Sequence, residues 1–170
     1  MLGSYVKEHA IRDYIWYKNQ IRTCEGVLGT IDRLLIDDCI MPEVRSHKRN
    51  LALAYYDYQK AYNNVNHHCI TIVYRWMVFP KRVVQVIEQI MCRWKTRLEV
   101  IAKGKKETSR WINIRRGFLQ GDSFSPVGFC LTEVPVSMLI EQSDGYMMGP
   151  PGNRNLKRTH SLFIDDLKVY

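Results

Sequence analysis

The sequence predicts an α+β fold, a small antiparallel sheet packed on helices, and three observations predict it. Segments with helical apolar spacing alternate with short apolar runs of strand length. No regular strand–helix–strand crossover of the kind a parallel sheet needs is evident. Two stretches, 96–115 and 160–170, read as pairs of strands around a turn. A chain of 170 residues, 46% hydrophobic and 25% charged, is long enough to bury a core without staples. The expected organisation is a helical lead-in over 1–50 and a compact region over 51–170.

The elements follow in order. From Gly26 to Met41, the residues Val27, Ile31, Leu34 and Leu35 keep helical spacing, and Pro42 is expected to end the helix. LALAYYD, residues 51–57, is apolar and aromatic and reads as a buried strand ending at Asp57. Asn66 is a good N-cap for a helix carrying Ile70, Val73 and Met77, broken at Phe79-Pro80. A second helix should present Val83, Val86, Ile87, Ile90 and Trp94 on one face. Strands over 96–102 and 109–115 then flank the turn KGKKE. Ser125-Pro126 suggests an N-cap with proline at the first helical position, and Pro135 must kink or restart that helix. Residues 144–158 are rich in turn formers, and HSLFIDDLKVY reads as a strand, a tight Asp-Asp turn and a return strand.

Charge points to a partner. The net charge is +8 and the pI about 9.3, which favours nucleic acid first and an acidic membrane surface second. Nine Lys and Arg but only two acids lie between Arg93 and Arg116, accounting for nearly all of that charge. Trp94 and Trp111 fall within this basic hairpin, so Lys103, Lys105, Lys106, Arg110, Arg115 and Arg116 are candidate phosphate contacts. A solvated hairpin with its tryptophans turned to the core is the plainer alternative.

Other classes are disfavoured. Five widely spaced cysteines without a C-x-x-C pair suit free thiols in a reducing compartment. His67-His68-Cys69 lacks a fourth ligand at zinc spacing. The N-terminal stretch has no apolar core, and the apolar run Pro126–Ile140 is short and interrupted by Glu133 and Pro135. A soluble intracellular protein without membrane contact, nuclear or cytoplasmic, is the expectation.

Three carboxylates carry the chemistry: Asp57 at one strand end, and Asp165 with Asp166 at a hairpin. Singly, each is ordinarily just a turn or strand-end residue. Brought together by neighbouring strands they would hold magnesium, a hard cation that takes carboxylate and phosphate oxygens. Two such ions about 3.5–4 Å apart serve phosphoryl transfer.

Their surroundings carry a resemblance. YYDYQKAYNNVNHHCI resembles the first catalytic motif of non-LTR (LINE-like) retrotransposon reverse transcriptases, commonly D-Y-x-K-A-Y-D-x-V-x-H. RRGFLQGDSFSPVGFCLTEVPVS is similar to their G-x-x-Q-G-D-x-L-S-P motif and its helix, and HSLFIDDLKVY to L-x-Y-x-D-D-x-K-x-Y. Upstream, CEGVLGTIDRLLID is similar to G-x-x-G-T-x-D-x-L-L-I-D. The motifs stand in the family's order across roughly Cys24 to Tyr170.

The resemblance implies a polymerase palm over 51–170, cut before the thumb, preceded by a partial fingers segment over 1–50. It implies RNA-directed DNA polymerase activity with two Mg²⁺ (or Mn²⁺) ions. Asp57 and Asp165 would ligate both ions, and Asp166 would complete the set. Tyr62 would abut the incoming sugar and disfavour a ribose 2′-OH. Gln120 and Gly121 would border the templating region and nucleotide, and Lys168 would stand beside the catalytic turn. RNA template, DNA primer and dNTP are the implied partners, and a longer chain would supply the missing fingers and thumb.

The sequence departs from the family pattern at Asn63 (usually Asp), Val127-Gly128 (usually a bulkier pair) and Glu133-Val134 (usually Leu-Asn or similar). Two alternatives stay open. One is a catalytically inactive descendant that binds nucleic acid or protein. The other is an RNA-dependent RNA polymerase palm, which usually has Gly-Asp-Asp at the turn, where this chain has Ile164-Asp165-Asp166.

Overall fold

A computed structural model of the chain describes residues 2–12, 29–102, 104–149 and 156–170. The architecture is α+β, in two compact units: Met1–Gln59 with Gly121–Tyr170, and Lys60–Gln120.

The first unit is built around a three-stranded antiparallel sheet of β1 (Ala54–Asp57), β8 (His160–Phe163) and β9 (Asp166–Val169), in the order β1-β9-β8. Central β9 turns Leu167 into the core, opposite Leu162 on β8, and both are buried. Among the described residues β1 has a single strand neighbour, and the expectation that LALAYYD is wholly buried is corrected: Tyr55 and Tyr56 are exposed. Helix α1 (Leu2–Arg12) buries Val6 and Ala10 and packs on α6 (Ser125–Thr132).

Helix α2 (Thr30–Ser46) runs through Pro42 instead of ending there. Proline removes one backbone donor, but Asp38, whose carbonyl loses that partner, is exposed and can be served by water. The expected start at Gly26 and Val27 lies outside the described residues. α6 breaks at Glu133, and α7 (Val134–Glu141) restarts with Pro135 in its first turn, as the sequence predicts. The cap of α6 is Phe124, so Ser125 is its first helical residue and Pro126 its second. A hairpin of β6 (Tyr146–Met148) and β7 (Leu156–Arg158) occupies part of the stretch read as turns. It is anchored by Glu43, whose carboxylate accepts from Arg49 (2.7 Å) and from the Gly149 amide (2.9 Å).

The second unit comprises α3 (Ala61–Asn64), α4 (His67–Trp76), α5 (Lys81–Cys92) and a β-ribbon. Asn66 caps α4 by accepting from the His68 amide at 2.8 Å, as expected. α5 buries Val84, Ile87 and Met91, whereas Val86 and Ile90 are exposed. Of the predicted face, Ile87 and Trp94 are buried as expected, but Val84 and Met91 join them in place of Val86 and Ile90, so the buried stripe is rotated toward a neighbouring one. The ribbon has two steps, β2 (Lys95–Thr96) with β5 (Ile112–Asn113) and β3 (Glu99–Ala102) with β4 (Lys105–Thr108). Its turn is tighter than KGKKE suggests, because Lys105 to Glu107 already pair with β3.

Candidate active site

The site grows from the β8–β9 hairpin. Phe163 and Asp166 are cross-strand partners, so Ile164 and Asp165 form the turn and Asp166 already belongs to β9. The expected Asp-Asp turn is thus corrected by one residue. A two-residue hairpin link favours positive φ at its first position, and Ile164 adopts φ 59. For a β-branched residue such a conformation costs about 1–3 kcal/mol.

On the other side of β9, the last residue of β1, Asp57, stands directly opposite Asp166. Residues so paired lie on one face with Cβ atoms about 4.5–5.5 Å apart, and like charges there are destabilising. Register therefore brings Asp57 and Asp166 together, with Asp165 next to them at the turn. Asp57 and Asp166 are exposed and Asp165 is half-buried.

Among the described residues, no group of three His, Cys, Asp or Glu side chains is drawn closely enough to hold a metal ion. The donor set still fits magnesium or manganese. It offers only hard carboxylate oxygens, and magnesium keeps several waters, so it does not need a complete protein cage.

Two further groups adjoin the turn. Glu133, at the break between α6 and α7, accepts a hydrogen bond from Tyr58, the residue after Asp57. Burial pushes the Glu133 carboxyl up, the Tyr58 bond pulls it down, and the Asp165 charge pushes it up again, with a net rise. Tyr58 is pushed up to about 12 by burial, by the Glu133 charge and by their hydrogen bond. The other Glu133 oxygen, Oε2, is buried with no hydrogen-bond partner. Sequence reasoning registered Glu133 only as a departure from the family pattern; a carboxyl inside an apolar helical stretch was the available signal.

The second group lies on α2. Lys168 is 1% exposed and donates to Asp37, which also accepts from the Tyr170 hydroxyl at 2.8 Å. The ammonium sits 5.1 Å from the Tyr55 ring centre and 4.8 Å from that of Tyr170. Burial works against its charge, but the bonds to Asp37 and Tyr55 prevail and its pKa is raised. One helical turn earlier, Arg33 donates to the Asp166 carbonyl at 3.4 Å. Asp37 closes the upstream G-x-x-G-T motif, yet no sequence signal linked it to Lys168.

Gly121, which opens the return to the first unit, has φ 93 and open space beside its α-carbon. A backbone conformation that favours glycine and leaves one side uncovered permits close approach of another molecule.

In the second unit, Tyr62 is half-buried on α3, and its carbonyl accepts from the Phe118 amide at 2.7 Å. Gly117 lies against this turn: a Cβ there would come within 2.8 Å of the Tyr62 and Asn63 backbone. Gln120 is exposed. Lys105, Lys106, Arg110, Arg115 and Arg116 are all exposed, while Lys103 lies outside the described residues. Lys106 and Arg97 both pair with Glu99 at 2.8 Å. Arg97 also stacks over Trp111, a residue 61% exposed, whereas Trp94 is buried against His67. One tryptophan thus faces the core and one faces solvent.

No helix among the described residues is long and apolar enough to cross a membrane. No family model matches the sequence. Over 167 residues, 98% of its length, the chain is 30% identical to the Retrovirus-related Pol polyprotein from type-1 retrotransposable element R2 of Nasonia vitripennis. It spans 15% of that relative's length. Along nearly all of its sequence, the chain is similar to one stretch of a retrotransposon Pol polyprotein.

Proposed function

We propose that this chain is the palm region, with part of the fingers, of a non-LTR retrotransposon reverse transcriptase. In that reaction the 3′-OH of a DNA primer attacks the α-phosphate of a dNTP under direction of an RNA template, forming the new phosphodiester as the α–β phosphoanhydride bond breaks and pyrophosphate leaves. The observation that carries the proposal is the register of Asp57 opposite Asp166 beside the Asp165 turn. Similarity to a Pol polyprotein over 98% of the chain supports it.

Asp57 and Asp165 would hold two Mg²⁺ (or Mn²⁺) ions, with Asp166 completing the set. When bound, such ions activate the attacking hydroxyl and stabilise the leaving oxygen. The chain's own residues do the rest. The paired strands fix Asp57 and Asp166 before substrate arrives, so little reorganisation is needed during reaction. By the resemblance, Tyr62 would abut the incoming sugar and Gln120 and Gly121 would border the template and nucleotide, while Lys168, buried on Asp37, stands beside the carboxylate turn. The basic ribbon offers Lys105, Lys106, Arg110, Arg115 and Arg116 to phosphates and Trp111 to a base or sugar.

A second reading, a noncatalytic nucleic-acid-binding descendant, is favoured by that ribbon, which needs no metal to act. Primer extension on an RNA template separates the two. Wild type should extend and Asp165→Asn should not, with nucleic-acid affinity preserved. Tight binding without extension by either chain, also in a version restored with fingers and thumb, would establish the noncatalytic reading.

A further inference from the structure

The face of α2 that meets β9 matches it in spacing. Arg33 and Asp37 are four residues apart, about 6 Å along a helix. Their partners, the Asp166 carbonyl and the Lys168 ammonium, are two residues apart, about 6.6 Å along a strand. Two ties at matched intervals fix both the position and the direction of the strand that carries Asp166. Asp37 has a second hold through the Tyr170 hydroxyl, just beyond the end of β9. Tyr55, on β1 opposite Lys168, stacks against the same ammonium, so the network reaches the strand bearing Asp57 as well.

We propose that Asp37 and Arg33 are positioning residues for the carboxylate turn. They hold β9 through Lys168, Tyr170 and the Asp166 carbonyl, so that Asp166 stays in register with Asp57. The proposal rests on the reverse-transcriptase reading for its catalytic consequence, but its mechanical part stands on these contacts alone. Lys168 acts here from within the fold: it is buried, and its charge is spent on Asp37. Side-chain register in a sheet is strongly specified only where something enforces it, and β1 is short with exposed tyrosines. The α2 network supplies that enforcement on the face where the carboxylates stand. A displacement of about 1 Å can cost a reaction up to about a hundredfold in rate.

The test uses the whole chain and two readouts. Removing one partner of a buried ion pair destabilises, so Asp37→Asn alone could act by unfolding. Replacing both, Asp37→Leu with Lys168→Met, removes the two charges together and is the variant expected to stay folded. Arg33→Met removes the other tie without leaving a buried charge. In hydrogen exchange, both variants should speed exchange of the amides of β9 and β1 while those of β6 and β7 stay protected. In primer extension, kcat should fall about ten- to a hundredfold with the KM for dNTP nearly unchanged. A lysine that touched the nucleotide would instead raise KM. Unchanged exchange at β9 in the folded double variant would overturn the proposal, whatever the chain's activity. Accelerated exchange beside a wild type that extends no primer, even in a version restored with fingers and thumb, would leave the positioning intact and remove the polymerase reading.

Discussion

His160 makes the chain acid-sensitive in a calculable way. It is fully buried on β8, with Nδ1 2.9 Å from the Thr159 hydroxyl. Burial, then the nearby Arg158 charge, lowers its pKa from 6.5 to about 4. The unfolded chain therefore binds a proton that the folded chain refuses between these values. A lowered folded pKa means that stability is complete above pH 6.5 and is lost as pH falls toward 4. From the two pKa values the loss is about 2 kcal/mol between pH 7 and pH 5, and about 3 kcal/mol once pH falls below 4. Glu133 works in the opposite direction, since its raised pKa favours the folded state as acid is added. A mutant comparison isolates the histidine: urea denaturation of wild type and His160→Gln at pH 7 and pH 5. The variant should be less stable at pH 7 yet lose about 2 kcal/mol less than wild type on acidification. Equal losses in both chains would refute the assignment.

The remaining predictions concern the second unit. Gly117→Ala should destabilise by about 1–3 kcal/mol in urea denaturation, because φ is 86 and the new methyl meets the Tyr62 and Asn63 backbone. Tyr62→Ala should admit ribonucleotides in primer extension; unchanged dNTP preference would remove Tyr62 from sugar selection. Neutralising Lys103, Lys105 and Lys106 should weaken nucleic-acid binding and flatten its salt slope by up to about 0.9 log units per lost contact on duplex DNA. Lys106 should contribute least, because Glu99 already pairs with it.

Much of this was legible in the residues themselves. Local chemistry set the Asn66 cap and the helix restart around Pro135, which appear where the sequence placed them, and the β8–β9 hairpin, which appears with its turn shifted by one residue. What failed depended on neighbours. α2 outlasts Pro42 because the affected carbonyl is exposed, which no local pattern reveals. The buried stripe of α5 is set by α4, and periodicity admits either of two adjacent stripes. α1 and the β6–β7 hairpin carried too little pattern to be read before folding. Within the candidate site, Asp57, Asp165 and Asp166 were candidates from motif and strand-end position, and strand register sets Asp57 opposite Asp166. Asp37, Arg33 and Tyr58 were not, because their partners lie far away in sequence or acquire meaning only through burial. The turn itself moved by one residue, since only strand pairing decides whether Asp166 belongs to the loop or to the ladder.

The central claim is that Asp57, Asp165 and Asp166 form a metal site. Thermal melts of wild type and Asp165→Asn, with and without millimolar Mn²⁺, test it most directly. Carboxylates crowded without a cation oppose folding, so Asp165→Asn should melt higher than wild type in chelator. Added Mn²⁺ should then stabilise wild type, by about 2.7 kcal/mol at a hundredfold excess over Kd and less where site occupancy is lower. The mutant should respond little or not at all. Identical responses of the two chains to Mn²⁺ would contradict the account.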